Sequence, residues 1–333
     1  MSKFKTIPLL LWCSAFILVG WILCQLPLST LSASLSHLSI KQWLAWIGLN
    51  LGIILIATQR WLSLLKGLNL GIPFRHLLLL RQAGQAISFI TPGPQFGGEP
   101  LQIYWLWKRQ HWPIHSALLG LGVDRFYELW VNFGVLLISV VLLMIPSINS
   151  LPPATLALNG PAVFFALLLL LLSLSLLGGV ILKHPDRVLV WLKRATHYWQ
   201  HHPCLINLET HWHGLSSDLK QLMTAHKLAL VSAFMWSLLG WVGLIGELGL
   251  ILSFFDLGLT ASQFMMIFMA MRLAFLLPLP GGIGTLEASL FWVFQNLDLP
   301  MTAVMSVIAL MRLRDVLTLL IGLGCVRGLR VGD

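Results

Sequence analysis

Apolar stretches broken by short polar ones run through almost the whole chain, at 7–26, 42–59, 77–90, 101–107, 116–145, 162–182, 228–254, 263–277, 288–296 and 301–326. Six of them (7–26, 42–59, 116–145, 162–182, 228–254 and 301–326) match the roughly 20 residues that a helix needs to cross a bilayer core of about 30 Å. The other four are shorter and form two pairs, each joined by helix-breaking residues. Pro92, Gly93, Pro94, Gly97 and Gly98 separate 77–90 from 101–107, and Pro278, Pro280, Gly281, Gly282 and Gly284 separate 263–277 from 288–296. Proline has no N–H to give and glycine admits backbone angles that a helix does not use. In a membrane such backbone survives only when protein buries it or when it lines a wet cavity. Each pair therefore predicts a re-entrant helical hairpin. Pro92, Gly93, Gly97 and Gly98 shape the first, and Pro280, Gly281, Gly282 and Gly284 shape the second.

The expected fold is an all-α polytopic membrane protein with about six spanning helices and two re-entrant hairpins. Laying one break over the other aligns Pro92 with Pro280, Gly93 with Gly281 and Glu99 with Glu287. Twenty-five residues after Glu99 stands Asp124, beside Arg125, and twenty-five after Glu287 stands Arg312, near Asp315. Residues 1–145 and 162–333 then each read span, span, hairpin, span. Counting spans puts the first hairpin on the cytoplasmic face and the second on the outer face, an inverted repeat of the kind that lets a transporter expose one site alternately to each side. A chance match of two Pro-Gly stretches is the competing reading of so few identities.

Composition agrees with a membrane chain. Of 333 residues 57% are hydrophobic and 10% charged, against roughly 25% charged in soluble domains. The net charge of +9 does not point to nucleic acid, because the basic residues flank apolar runs. Lys3 and Lys5 precede the first run; Arg60, Lys66, Arg75 and Arg81 follow the second; Lys108 and Arg109 follow the first hairpin; Arg327 and Arg330 follow the last run. By the positive-inside rule these mark cytoplasmic edges. Both termini and the basic loop 183–227 are then cytoplasmic, and the expected location is a bacterial inner membrane. The first run lacks a small-x-small cleavage site and reads as an uncleaved span. Within the loop, 188–199 reads either as an interfacial helix on anionic lipid or as a solvated connection. Cys13, Cys24, Cys204 and Cys325 are scattered, and His201, His202, His211 and His213 have no spacing that fixes a metal geometry. No metal or cofactor is expected. Walker A, G-x-S-x-G and H-E-x-x-H patterns do not occur, so no enzyme is expected either.

Ionisable residues at membrane depth cost about 2.5–3.5 kcal/mol each on insertion scales and mark pathways or sites. Glu99, ahead of Pro100, reads as an N-cap, and Glu287 falls in the first turn after a Thr285 N-cap. Positive helix ends favour such carboxylates, and their free N–H groups can hold a phosphate. Arg125, Arg272 and Arg312 are candidates to grip a lipid phosphate with paired hydrogen bonds. Arg314 either joins them or snorkels, and Glu247 and Asp256 read as membrane-edge residues. Glu99 and Glu287 alternatively only cap their helices or pair with an arginine, and Asp124, Glu128 and Asp315 stand beside arginines, so mutual neutralisation competes with a lipid role.

Pro-Gly-Pro-Gln-Phe-Gly-Gly-Glu-Pro-Leu at 92–101, Val-Asp-Arg-Phe at 123–126 and Leu-Pro-Gly-Gly-Ile-Gly-Thr-Leu-Glu at 279–287 resemble the lysylphosphatidylglycerol synthase transmembrane family, also called UPF0104. In the bifunctional multiple peptide resistance factor, such a domain moves lysyl-phosphatidylglycerol across the membrane while a separate cytoplasmic domain makes it. The resemblance covers the membrane part alone, with no synthase domain expected, so it does not imply aminoacyl transfer. It implies a lipid flippase or lipid-binding transporter, in which the candidates already read from the residues, Glu99, Arg125, Arg272, Glu287 and Arg312, are expected to form the site. The alternative is a membrane partner that presents lipid to a separate enzyme docked on loop 183–227. The expected partner is a phosphate-bearing membrane lipid.

Overall fold

The computed structural model describes residues 38–91, 97–145, 160–183, 208–277 and 279–331. The predicted first span 7–26, the segment 188–199, Pro92, Gly93, Pro94, His201, His202 and three of the cysteines lie outside them. Ser39 starts the first long helix with a capping box, its hydroxyl accepting from the Gln42 N–H at 3.4 Å while its own N–H donates to the Gln42 side chain at 2.8 Å. This helix, α1, runs Ile40–Gly67. Then follow α2 (Phe74–Ile90), α3 (Glu99–Arg109), α4 (Ile114–Met144), α5 (Gly160–Lys183), α6 (Leu208–Thr224), α7 (Lys227–Ser253), α8 (Ala261–Leu276), a 3-10 turn Pro280–Gly282, α9 (Thr285–Asn296) and α10 (Met301–Val331). All regular structure among the described residues is helical. The loop 183–227 is in part a folded element, since α6 occupies most of its second half.

Helix lengths recur. The series α1 to α4 has 28, 17, 11 and 31 residues, and the series α7 to α10 has 27, 16, 12 and 31. Two large apolar clusters form, one filled mainly by the first series and one led by the second that also takes in Trp46, Val131 and Leu143 of the first. Trp61, Leu65, Leu77, Leu80, Leu106 and Leu121 fill the first; Leu248, Ile267, Phe268, Leu290, Phe294 and Ile308 lead the second. The two series interlock through α1 against α7, α2 against α10 and α8 against α4.

Four helices among the described residues, Ile40–Gly67, Ile114–Met144, Ala162–Ile181 and Lys227–Ser253, are long and apolar enough to cross a membrane. Their outward positions are oily, as with Leu44 and Leu51 on α1, Leu169 and Leu176 on α5, and Val231 and Val242 on α7. A solvent of lipid chains removes the usual cost of exposing such side chains. Helix α10 is also long enough, at about 46 Å, but carries Arg312, Arg314 and Asp315 in its middle.

Candidate functional site

The breaks in the helices bring backbone polar groups inside, and charged side chains answer them. At the first break Gly98 is the N-cap of α3 and Glu99 its first residue, one place further into the helix than expected, with Pro100 behind it. Glu99 Oε2 accepts from the Gly97 N–H at 2.6 Å, and the Gly98 N–H donates to Ser88 Oγ of α2 at 2.9 Å. Gly98 lies so close to the backbone of Gly84 that no Cβ fits between them. At the second break Gly284, with φ of 85°, is the N-cap of α9, and its N–H donates to Glu287 Oε2 at 2.8 Å. Thr285, expected as the cap, is the first helical residue and turns its hydroxyl back to the carbonyls of Ala274 and Gly282. Gly281, with φ of 58°, faces the Phe89 ring of α2, so the end of α2 meets the tip of the second break.

Each break is tied to the long helix that follows it. Arg125 Nη2 reaches Glu99 Oε1 at 2.9 Å, and Arg125 Nη1 reaches Glu128 at 2.9 Å. Arg312 Nε reaches Glu287 Oε1 at 2.6 Å, and Arg312 Nη1 reaches Asp315 at 3.1 Å. Counted from Ile114 and Met301, Arg125 and Arg312 are each the twelfth residue of their helix, and each pairs with a carboxylate three residues on. The correspondence is therefore Arg125 with Arg312, one residue from the Asp124 match that spacing suggests. Arg312, 1% exposed, also donates to the carbonyls of Gly281 and Gly282 at 2.9 and 3.1 Å. Its donors thus hold the second break in shape.

A second set of charges includes residues that the sequence places at membrane edges. Arg60 and Arg81, read there as residues at a cytoplasmic edge, lie inside α1 and α2 against the fully buried Asp124. Arg60 grips Asp124 with two parallel bonds, 2.7 and 3.0 Å, and Arg81 adds a third at 3.1 Å. Arg60 also reaches Glu128 at 3.2 Å and Ser237 Oγ of α7 at 3.4 Å. Glu247, read as an edge residue, is buried and accepts from Arg314 Nη1 at 2.8 Å, while Arg314 forks onto Asp315 Oδ1 at 3.2 and 3.0 Å. Counting from Ile40 and Lys227, Arg60 and Glu247 each stand at position 21 of the first helix of their series. A hydropathy window cannot separate a charge at a helix end from one facing inward near that end. The usable signal was that Arg60 sits within an uninterrupted helical pattern continuing to Gly67.

Between the two series lies a cavity of about 230 Å³. Arg60, Arg81, Glu128, Glu247, Arg272, Arg314 and Asp315 all face it, together with Trp236, Trp241 and Phe89. Of the five residues predicted for a lipid site, only Arg272 belongs to this lining. Glu99, Arg125, Glu287 and Arg312 stand behind it, paired at the breaks. Arg272 has a different setting from its neighbours. Its Nε and Nη2 donate to Asn132 Oδ1 at 3.3 and 3.2 Å, and its guanidinium lies 4.4 Å from the Trp241 ring centroid. Among the described residues it has no carboxylate partner.

Apolar helices packed around a charged internal cavity define a polytopic helical membrane protein. The chain belongs to the lysylphosphatidylglycerol synthase transmembrane-region family, which it matches over residues 7–322. It is 24% identical over 264 residues to a UPF0104 membrane protein of Methanothermobacter thermautotrophicus, covering 77% of this chain and 76% of that one. No solved structure matches it.

Proposed function

We propose that this protein moves an amphipathic phospholipid across the cytoplasmic membrane, binding its headgroup in the cavity between two inverted repeats of about three spans and one re-entrant hairpin each. The observation that carries this reading is Arg272, a guanidinium facing an internal cavity with no carboxylate partner among the described residues. A lipid phosphate supplies the missing anion with charge-assisted bonds. The repeating helix lengths support two related halves, and the junction of such halves is where alternating access places a substrate. At 17 and 11 residues, α2 and α3 rise about 25 and 16 Å, short of the roughly 30 Å core, which favours re-entry over crossing. Glu99, Arg125, Glu287 and Arg312 act in this reading as the ties that keep both hairpins shaped. The protein's own role is transport rather than catalysis, in keeping with a family defined by a transmembrane region.

Reconstitution into liposomes with acyl-labelled phospholipids tests the proposal. Dithionite quenching reports lipid that has crossed between leaflets. Accelerated crossing of at least one phospholipid class is expected, and no acceleration for any class rules the reading out.

A further inference from the structure

Once the ion pairs in the cavity wall are assigned, two groups of opposite charge retain bonding capacity. Arg272 spends Nε and Nη2 on a single neutral acceptor, Asn132 Oδ1. Glu247 spends Oε2 on Arg314, while its Oε1 is buried without a donor among the described residues. The surrounding charges are committed to one another. Arg60 and Arg81 share Asp124, Arg60 and Arg125 share Glu128, and Arg314 and Arg312 share Asp315. With the hairpin acids Glu99 and Glu287 included, six arginines meet six carboxylates, and the formal charge of the cluster cancels.

A buried acceptor with no donor and a guanidinium with no anion among the described residues each cost free energy that a suitable ligand recovers. In a balanced low-dielectric cluster, a ligand carrying net charge brings an uncompensated charge inside. Both conditions point to an occupant that is itself neutral overall and carries one anion and one N–H-bearing cation. Resting on the lipid-handling reading above, we propose that the cavity selects a zwitterionic headgroup, with a phosphodiester on Arg272 and a single primary ammonium on Glu247. A purely anionic headgroup such as phosphatidylglycerol brings a net negative charge into the balanced cluster and offers Glu247 Oε1 only a neutral hydroxyl donor. A quaternary ammonium has no N–H to donate to it, and a lysylated headgroup adds net positive charge to a cluster already balanced.

The test uses the full chain in lipid nanodiscs and competition among acyl-labelled phosphatidylethanolamine, phosphatidylglycerol, phosphatidylcholine and lysyl-phosphatidylglycerol. Phosphatidylethanolamine is expected to bind about tenfold or more tighter than each of the others, the range of a charge-assisted hydrogen bond lost at a buried site. Glu247→Gln is expected to erase most of its advantage over phosphatidylglycerol, and Arg272→Gln to weaken all four lipids. Lipid binding with no preference for phosphatidylethanolamine overturns this inference and leaves the transport reading standing. Failure to bind any lipid overturns both. Glycerophosphoethanolamine separates the sources of the headgroup: weak competition is expected, and competition equal to the lipid's assigns the cavity to a soluble ligand and overturns the proposal. Because the wild-type lipid panel decides the matter alone, misfolding of either variant does not remove the test.

Discussion

Arg312 and Arg272 differ in what surrounds them, and the difference predicts opposite mutational signatures. Arg312 is enclosed and donates to Glu287, Asp315 and two hairpin carbonyls. Removing one partner of such a pair strands the other charge in low dielectric, at about 3–5 kcal/mol, whereas replacing both ions by apolar groups is much milder. Glu287→Gln is therefore expected to lower the thermal midpoint of the detergent-solubilised protein. Glu287→Met combined with Arg312→Met recovers part of that loss, the remainder reflecting the bare Gly281 and Gly282 carbonyls. A Glu287→Gln midpoint equal to wild type would show that the tie carries no stability. Asp124→Asn removes the anion that serves both Arg60 and Arg81, and its midpoint is expected to fall at least as far. Both effects are read by differential scanning fluorimetry.

At the level of elements, glycine at the first break sets how closely α2 and α3 approach. A side chain at Gly98 runs into the backbone of Gly84, so Gly98→Val is expected to cost about 1–3 kcal/mol through overpacking. Gly122→Ala, on an open face of α4, is the control and is expected to lower the midpoint not at all. Equal melting of the two variants would refute close packing at Gly98. Much of this layer was readable in advance, because period and run length carry helices, and Pro-Gly clusters beside an acid in an oily chain carry the breaks. The pairing of Glu99 and Glu287 with arginines was one of two readings left open. Arg60, Arg81 and Glu247 were read as edge residues because a basic or acidic side chain near a helix end has the same local sequence whether it faces the headgroups or the interior, and Arg314 was left between an anion-holding and a snorkelling role. Only the packing of α1 on α7 and α2 on α10, between residues far apart in the chain, turns them inward.

For the whole molecule, an inverted repeat places the ends of α3 and α9 on opposite sides of the membrane. Single cysteines at Arg109 and at Asn296, in a background with Cys13, Cys24, Cys204 and Cys325 replaced by serine, report this through a membrane-impermeant maleimide. Labelling of Asn296 in intact cells and of Arg109 only after permeabilisation is expected; labelling of both from one side would exclude inversion. The central claim is that a lipid phosphate meets Arg272 between the two halves, and its most direct test is the rate of phospholipid crossing in proteoliposomes for wild type against Arg272→Gln. Arg272 has no carboxylate partner among the described residues, so the variant breaks no direct ion pair; scanning fluorimetry checks that it folds, and the folded variant is expected to lose about tenfold or more of the rate, the worth of a charged hydrogen bond. A well-folded variant that moves lipid at the wild-type rate would contradict the account.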